Sequence, residues 1–364
     1  MEVDYFTNLP SEITMEILSH LSIRSLAISK SVCKSWRDLF DTVKSKIKTP
    51  PALVQIYWGH YSTRCKIIEI EDEDEADLHY HPLTDLEITG LMEGYRIRKQ
   101  CVAANGLLLF YSTLSCPFYI CNPITREYTE LCCPVPPNPV MRFGFGVSEI
   151  SQQYKVIGIN SFPKSDLHYV YTLGTGTWRR LEAGKVSGFV FESVGCTICN
   201  GNLHWIVVDS SRIQWICSFD LETEHFSIFS LPLAGIRNGE LSVLSDCLCY
   251  SYYNKRQDEI LIWMMKEYQV NESWTVEYKM STASFDGHYT LVHYTLVKAI
   301  KFFKDGDVLM LLDHSILVYY SNKTRTLQQV NMLKDADENK GYPRIFNPSL
   351  LSLKSFGFEN VISF

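Results

Sequence analysis

The chain has 364 residues, of which 46% are hydrophobic and 13% aromatic, and a formal net charge of −7. This length accommodates one large and one small domain, and the abundance of Tyr and Phe is typical of a strand-rich core. Seven acidic residues between positions 69 and 77 account for the whole net charge, so the composition excludes a broad basic surface for nucleic acid. We expect this acidic stretch to be a solvated loop, with a contact for a basic partner as the alternative.

The chain opens with acidic and polar residues and has neither a signal-peptide pattern nor an apolar run of membrane-spanning length. We therefore expect the protein in the cytoplasm and/or the nucleus, without a membrane partner. In those compartments the 12 cysteines are expected to be thiols and not a disulfide framework.

Residues 9–40 predict three short amphipathic helices. Ile13, Ile17, Leu18 and Leu21 recur at helical spacing and share one face. Pro10 suits the first turn of a helix, where its missing N–H is not needed. So small a unit cannot bury that many large side chains by itself, so another part of the chain or another protein must cover them.

These residues resemble an F-box, the segment that docks on the Skp adaptor and thereby joins the cullin of an SCF ubiquitin ligase. The resemblance rests on a Leu-Pro opening, an aliphatic run and the Val-Cys-Lys-Ser-Trp segment at 32–36. Ser22 stands where the family usually has Pro. The alternative is an ordinary helical cap. The resemblance implies ten adaptor-binding residues: Leu9, Pro10, Ile13, Ile17, Leu18, Leu21, Leu26, Val32, Cys33 and Trp36.

Beyond a basic, proline-ended stretch, four-strand patterns recur in five groups, over residues 101–131, 143–181, 194–229, 240–279 and 297–330. A large apolar residue marks the fourth strand of each group, at steps of 50, 48, 48 and 53 residues; the markers are Tyr128, Trp178, Phe226, Trp274 and Leu327. Turn pairs of the Asn-Gly or Asp-Gly type join the first two strands at 105–106, 200–201 and 305–306. A four-strand period near 50 predicts a β-propeller.

The first group has only three strands, at 51–58, 66–70 and 78–82. We expect residues 349–353 to supply the missing strand, because an incomplete ring would leave two sheet edges unpaired. The predicted fold is thus mainly β with a small all-α N-terminal domain: a three-helix F-box, then a roughly six-bladed β-propeller closed by a C-terminal strand. Five or seven blades are the alternatives. The predicted domains are residues 1–45, a linker at 46–51, and 52–364.

The strand-rich region resembles the F-box-associated domain, the kelch-like C-terminal region of plant F-box proteins. The positions that carry the resemblance include Asn-Gly-Leu-Leu at 105–108, Cys-Asn-Pro-Ile-Thr-Arg at 121–126 and Gly-Asn-Leu-His-Trp at 201–205. The double-glycine signature of kelch repeats is absent. Some relatives are S-locus F-box proteins that recognise pollination ribonucleases, and no residue here selects that subgroup.

No pattern predicts catalysis, a metal or a cofactor. Cys196 and Cys199 form a C-x-x-C without a second pair at zinc spacing, which favours core cysteines. His79 and His81 lack a third ligand. The Phe-Gly-Phe-Gly at 143–146 lacks the third glycine and the Lys-Ser/Thr of a phosphate loop, and no G-x-S-x-G follows.

The tryptophans at strand spacing favour packing between blades, with an aromatic binding surface as the alternative; they are Trp58, Trp178, Trp205, Trp215, Trp263 and Trp274. Together the two resemblances imply a non-catalytic substrate receptor of an SCF ligase that presents an unidentified target for ubiquitination and proteasomal degradation. The alternatives are a propeller enzyme, a hydrolase or lyase with a helical cap, and a stand-alone binding module.

Overall fold

The structure is a computed structural model. It describes these residues: 9–19, 21, 25–26, 51–59, 62–70, 80–89, 99–112, 117–133, 141–161, 167–193, 195–233, 238–283, 285, 290–292, 295–330 and 342–364. Most of the acidic stretch near residue 75 lies outside them.

The helix α1 (Ser11–Ser19) lies among the described residues, and Ser25 and Leu26 are helical as well. Pro10 precedes it, and the Pro10 carbonyl accepts hydrogen bonds from the Thr14 amide at 3.0 Å and the Thr14 hydroxyl at 3.2 Å. Glu12 in the first turn is favourably placed in the field of the helix dipole. The other two predicted helices fall largely on residues outside the described part.

The remaining elements are strands and short 3₁₀ turns (Gly184–Val186, Asn271–Ser273 and Leu353–Phe356). The strands are β1 (Ala52–Trp58), β2 (Ser62–Ile70), β3 (Tyr80–Thr89), β4 (Lys99–Ala104), β5 (Leu107–Ser112), β6 (Phe118–Asn122), β7 (Glu127–Leu131), β8 (Met141–Val147), β9 (Tyr154–Asn160), β10 (His168–Thr172), β11 (Trp178–Leu181), β12 (Val190–Phe191), β13 (Thr197–Cys199), β14 (Asn202–Val208), β15 (Gln214–Asp220), β16 (Phe226–Ser230), β17 (Glu240–Leu244), β18 (Cys247–Asn254), β19 (Glu259–Met265), β20 (Trp274–Ser281), β21 (Val297–Phe302), β22 (Val308–Leu312), β23 (Ile316–Ser321), β24 (Thr326–Gln329), β25 (Tyr342–Phe346) and β26 (Ile362–Ser363).

These strands form six antiparallel sheets, in agreement with the predicted number of repeats. The chain divides into two compact units. The first comprises residues 1–71, 78–133 and 344–364 and holds two sheets, ordered β25-β1-β2-β3 and β26-β7-β6-β5-β4. The second, built mainly from residues 134–343, holds the other four: β8 to β11, β12 to β16, β17 to β20 and β21 to β24.

A late strand completes the first sheet, as the three-strand first group predicts, but the residues differ from those expected. The added strand is β25 beside β1, and residues 349–353 form no strand. The apolar residues of this segment are buried without forming a strand: Leu351 is 7% exposed and Leu353 is 0% exposed. Their apolar character reflects packing and not strand pairing.

Two of the three predicted hairpin turns have the expected backbone. Asn105 and Gly106 have φ of 35° and 88°, and Asn200 and Gly201 have φ of 48° and 67°, as two-residue turns of type I′ require. At the third, only Gly306 has positive φ, at 85°, and the loop is longer, since β21 ends at 302 and β22 begins at 308.

The third group differs from the sequence prediction in its first strand. The predicted first strand spans 194–199, but β13 covers only Thr197–Cys199. β12, before the predicted range, also pairs with β14, and the pairing is interrupted between the two strands. In this interruption the Ser193 hydroxyl accepts a hydrogen bond from the Ile206 amide at 2.7 Å. A side-chain hydroxyl thus takes the place of a backbone acceptor in the sheet. The hydrophobic pattern of the sequence gives no sign of this replacement.

Candidate protein-binding surfaces and the network behind them

The predicted adaptor-binding residues divide by exposure. Ile13 and Ile17 lie one helical turn apart on α1 and are 50% and 37% exposed. Pro10 is also exposed, and Leu9 and Leu21 are partly buried. Leu18 and Leu26 are both 1% exposed, so any role they have in docking is to support the exposed residues. Val32, Cys33 and Trp36 lie outside the described residues.

The turn at 122–125 forms hydrogen bonds with the segment that follows β25. The fully buried Asn122 amide donates to the carbonyls of Ser349 at 3.1 Å and Leu351 at 2.7 Å. Its carbonyl oxygen accepts from the Ile124 amide at 2.9 Å. One Asn side chain therefore shapes its own turn and holds a strand-free segment more than 220 residues later.

Glu127, at the start of β7, adds two bonds to the same segment. Its carboxylate accepts from the Ser352 hydroxyl at 3.0 Å and from the Leu353 amide at 2.7 Å. The 3₁₀ turn Leu353–Phe356 that begins there ends at Gly357, whose φ of 76° suits glycine. Asn122 and Glu127 together anchor residues 349–353 to the second sheet.

A related turn at 220–224 joins two sheets of the second unit. Asp220 accepts from the amides of Glu222 at 2.7 Å and Thr223 at 3.0 Å, as Asn122 does in its turn. Glu224 pairs with Lys155 at 2.8 Å and with Arg179. Burial opposes the ionised form of Glu224, but hydrogen bonds from Arg179 and Lys155 outweigh it and lower the pKa. These ion pairs join the sheet of β8 to β11 to the turn that follows β15.

The glycines of the Phe-Gly-Phe-Gly sequence have a packing role. A Cβ on Gly144 would lie 2.5 Å from Cζ2 of Trp205, and one on Gly146 would lie 2.6 Å from Cδ1 of Leu221. β8 therefore approaches its neighbouring sheet too closely for any side chain at these positions. This agrees with the expectation that the sequence is not a phosphate loop.

Cys196 and Cys199 are poor candidates for metal or redox chemistry. Desolvation raises the pKa of Cys196 to about 11 and that of Cys199 to about 12, so both thiols are protonated at neutral pH. Within the described part of the chain, no group of three His, Cys, Asp or Glu side chains could hold a metal ion. Cys199 is buried, as expected of a core cysteine, and Cys196 is partly buried and packs against the core of the second unit. The side chains of His79 and His81 lie outside the described part.

Cys133 corrects the expectation for the cysteines. It is disulfide-bonded, whereas the other nine cysteines among the described residues are thiols. Cys132 beside it is exposed. Because a disulfide joins two cysteines, the prediction that all 12 are thiols is wrong at Cys133 and at its partner.

His204 belongs to an internal network that the sequence did not reveal. It is 1% exposed, with Nδ1 3.2 Å from the Thr197 carbonyl and Nε2 2.8 Å from the Tyr268 hydroxyl. Because a carbonyl only accepts, Nδ1 carries the proton and Nε2 accepts from Tyr268. Burial lowers the pKa of His204 to about 4. Only the fold brings Tyr268 to this site, since it lies in the loop between β19 and β20.

Three of the predicted packing tryptophans are buried: Trp58, Trp205 and Trp274. Trp58 packs edge-on against Phe110 at 5.6 Å between ring centroids, and Trp205 against Phe191 at 5.8 Å. The other three, Trp178, Trp215 and Trp263, are partly buried. Packing, and not an aromatic binding surface, accounts for the buried three.

A family model for the F-box associated beta propeller domain matches residues 64–353, and a model for the F-box domain matches residues 6–48. The first match alone covers more than half of the chain. The chain is an F-box protein with an F-box-associated β-propeller. Its six sheets are accordingly the six blades of the propeller.

Curated relatives of this F-box protein come from Arabidopsis thaliana. F-box protein At3g07870 is 28% identical over 76% of this chain and 73% of its own length. F-box/kelch-repeat protein At3g23880 is 26% identical over 74% and 78%, and F-box protein At5g49610 is 25% identical over 89% and 91%. The expected resemblance to plant F-box proteins is thus confirmed. No helix in the described part of this F-box protein is long and apolar enough to cross a membrane.

Proposed function

We propose that this F-box protein is the substrate-recognition subunit of an SCF-type ubiquitin ligase. The observation that carries the proposal is the F-box match at residues 6–48, within which Ile13 and Ile17 expose a pair of aliphatic side chains on one helix face. An amphipathic helix that presents such anchors suits a hydrophobic groove on a partner. The partner is a Skp-type adaptor, and through it a cullin.

In this role residues 1–45 bind the adaptor, 46–51 link the two parts, and 52–364 hold a target protein. The ligase then acts by proximity, because a bound target experiences a high effective concentration of the ubiquitin-conjugating enzyme. No residue of the chain performs covalent chemistry, and the protein works in the cytoplasm and/or the nucleus. The ion pairs that Glu224 makes with the buried Lys155 and the exposed Arg179 fit this role, since they join two sheets.

Co-expression with a plant Skp-type adaptor, followed by size-exclusion chromatography and titration, tests the proposal. The wild-type chain should elute as a stoichiometric complex. Ile17→Asp should weaken binding by roughly 10²–10⁴-fold, because an unpaired carboxylate in an apolar groove costs on the order of 3–5 kcal/mol. Ile13→Asp, one turn away, should act in the same direction.

Ile150→Asp is the matched control, because it makes the same chemical change at a residue that is 80% exposed and lies far along the chain from the F-box. It should bind the adaptor as the wild type does, and all variants should melt alike. A folded wild-type chain that ignores the adaptor would contradict the proposal, and the propeller-enzyme and stand-alone binding hypotheses would then take precedence.

A further inference from the structure

The outer edge of the second blade differs from those of the other blades. β26 pairs antiparallel with β7, so that Ile362 lies opposite Tyr128 and Ser363 opposite Glu127. Among the described sheets, the other outer strands end their sheets; these are β3, β11, β16, β20 and β24. The edge of β7 is thus shown to accept a further strand.

The contacts that hold the added strand are mostly to backbone atoms. The Phe364 amide donates to the Arg126 carbonyl at 3.1 Å, and the Thr129 hydroxyl donates to the Asn360 carbonyl at 3.0 Å. The side chains of Ile362 and Ser363 are both exposed, so they contribute little. Recognition that depends on backbone atoms tolerates many sequences.

One side chain adds selectivity. The Phe364 ring lies 5.9 Å from the Tyr128 ring, at an interplanar angle of 45°. Tyr128 in turn packs edge-on against Tyr119 at 6.1 Å. The half-buried Tyr128 therefore forms a platform for one aromatic residue of the added segment.

The segment of residues 358–364, called here the β26 segment, is held more weakly than the residues before it. Leu351 and Leu353 are buried and bonded to Asn122 and Glu127. After Gly357, whose left-handed conformation ends the 3₁₀ turn, every residue is partly or fully exposed. The β26 segment can therefore leave β7 without disturbing the anchor at residues 349–353.

We propose that the outer edge of β7 is a binding site for an extended polypeptide segment with an aromatic residue over Tyr128, and that the β26 segment occupies it as a displaceable internal ligand. The occupant is an extended segment of a target protein, which adds to the blade as a strand. Only the assignment of this segment to a ubiquitination target rests on the proposed function. Strand binding itself is measured on the chain without adaptor, so the two proposals fail separately.

Two proline substitutions in the full chain separate release of the β26 segment from a general effect of proline. Because the Phe364 amide bonds to Arg126, the antiparallel alternation places Ile362 in a hydrogen-bonded position and turns the Ser363 amide away from β7. Ile362→Pro removes a ladder donor and should release the segment, whereas Ser363→Pro removes a donor that β7 does not use. Phe364→Ala is a second release variant, which loses the ring contact.

The probe is a fluorescein-labelled peptide with the sequence of residues 358–364, measured by fluorescence anisotropy. The Ile362→Pro chain should bind it at least about tenfold more tightly than the wild type, in which the internal segment competes at high effective concentration. Ser363→Pro should match the wild type. A peptide with alanine in place of its last phenylalanine should bind roughly 2- to 12-fold more weakly, the loss expected for one aromatic pair.

Melting curves of all variants establish that they are folded; if Ile362→Pro is not, Phe364→Ala carries the comparison. Equal binding by the wild type and the release variants, or no binding by a folded release variant at millimolar peptide, would overturn the proposal. Tighter binding by both release variants, with Ser363→Pro unchanged, would support it. Loss of adaptor binding in the Ile17→Asp protein has no bearing on this result.

Discussion

Replacing Asn122 by Asp tests whether one amide group holds the closing segment of the propeller. The two side chains have the same shape, but the carboxylate presents only acceptors to the carbonyls of Ser349 and Leu351, which now accept from Nδ2 at 3.1 and 2.7 Å. Two hydrogen bonds of about 1 kcal/mol each are lost, and a buried charge faces two carbonyl dipoles. We expect the free energy of unfolding to fall by about 3–5 kcal/mol at pH 8.

The assay is thermal unfolding followed by circular dichroism. With an unfolding entropy of about 2.1 cal/mol/K per residue over 364 residues, a loss of about 3–5 kcal/mol lowers the melting temperature by about 4–7 °C. The cost also depends on pH. Burial beside carbonyls raises the folded-state pKa of the new Asp, so its protonated form is favoured and donates one bond. The defect should therefore be smallest near pH 4 and grow by up to about 1.4 kcal/mol per pH unit above it.

Asn254→Asp is the matched control. Asn254 also accepts from the amide two residues on, that of Arg256, at 3.2 Å, but its Nδ2 donates to the exposed side chain of Gln257. This substitution should change the stability by no more than about 0.5 kcal/mol. An Asn122→Asp protein that melts within 1 °C of the wild type at pH 8, or whose defect grows as the pH falls, would refute the reasoning.

The remaining predictions concern packing and protonation in the second unit. Gly144→Ala should destabilise the protein by about 1–3 kcal/mol, because its Cβ would lie 2.5 Å from Trp205. Gly195→Ala is the control and should melt as the wild type does, because a Cβ there would have no atom within 4 Å. Equal melting of the two variants would argue against the close approach at Gly144. The unfolded chain protonates His204 near pH 6.5, but the folded chain does so only near its pKa of about 4. Stability should therefore fall as the pH falls between these values, by roughly 3 kcal/mol, and His204→Gln should remove that part of the pH dependence in denaturant titrations.

The repeat was predictable because its signals are local. Alternating apolar residues and turn pairs such as Asn105-Gly106 determine hairpins within a few residues of chain, and the five four-strand groups are all present. The exposed Ile13 and Ile17 of the F-box are likewise evident from helical spacing. Their docking role stays a prediction.

The strand that completes the first sheet could not be predicted from local sequence signals. Residues 349–353 have the more apolar sequence, but the carbonyls of Ser349 and Leu351 accept from the Asn122 side chain and the segment forms no strand. The strand that pairs with β1 contains Pro343, which sequence reasoning disfavours in a strand. A proline is tolerated there because β25 lies at one edge of its sheet. Such choices depend on partners far away in the chain.

The first blade also has a consequence for synthesis on the ribosome. Its strands β1 to β3 end at Thr89, but β25 begins at Tyr342, more than 250 residues later. At about 5–20 residues per second, the β1 edge waits roughly 10–50 s for its partner. Throughout that time one edge of β1 is unpaired, although all seven of its residues are buried in the folded protein. An unpaired strand edge is a template for mispairing with other chains. The first blade is therefore completed only after most of the chain has been synthesised.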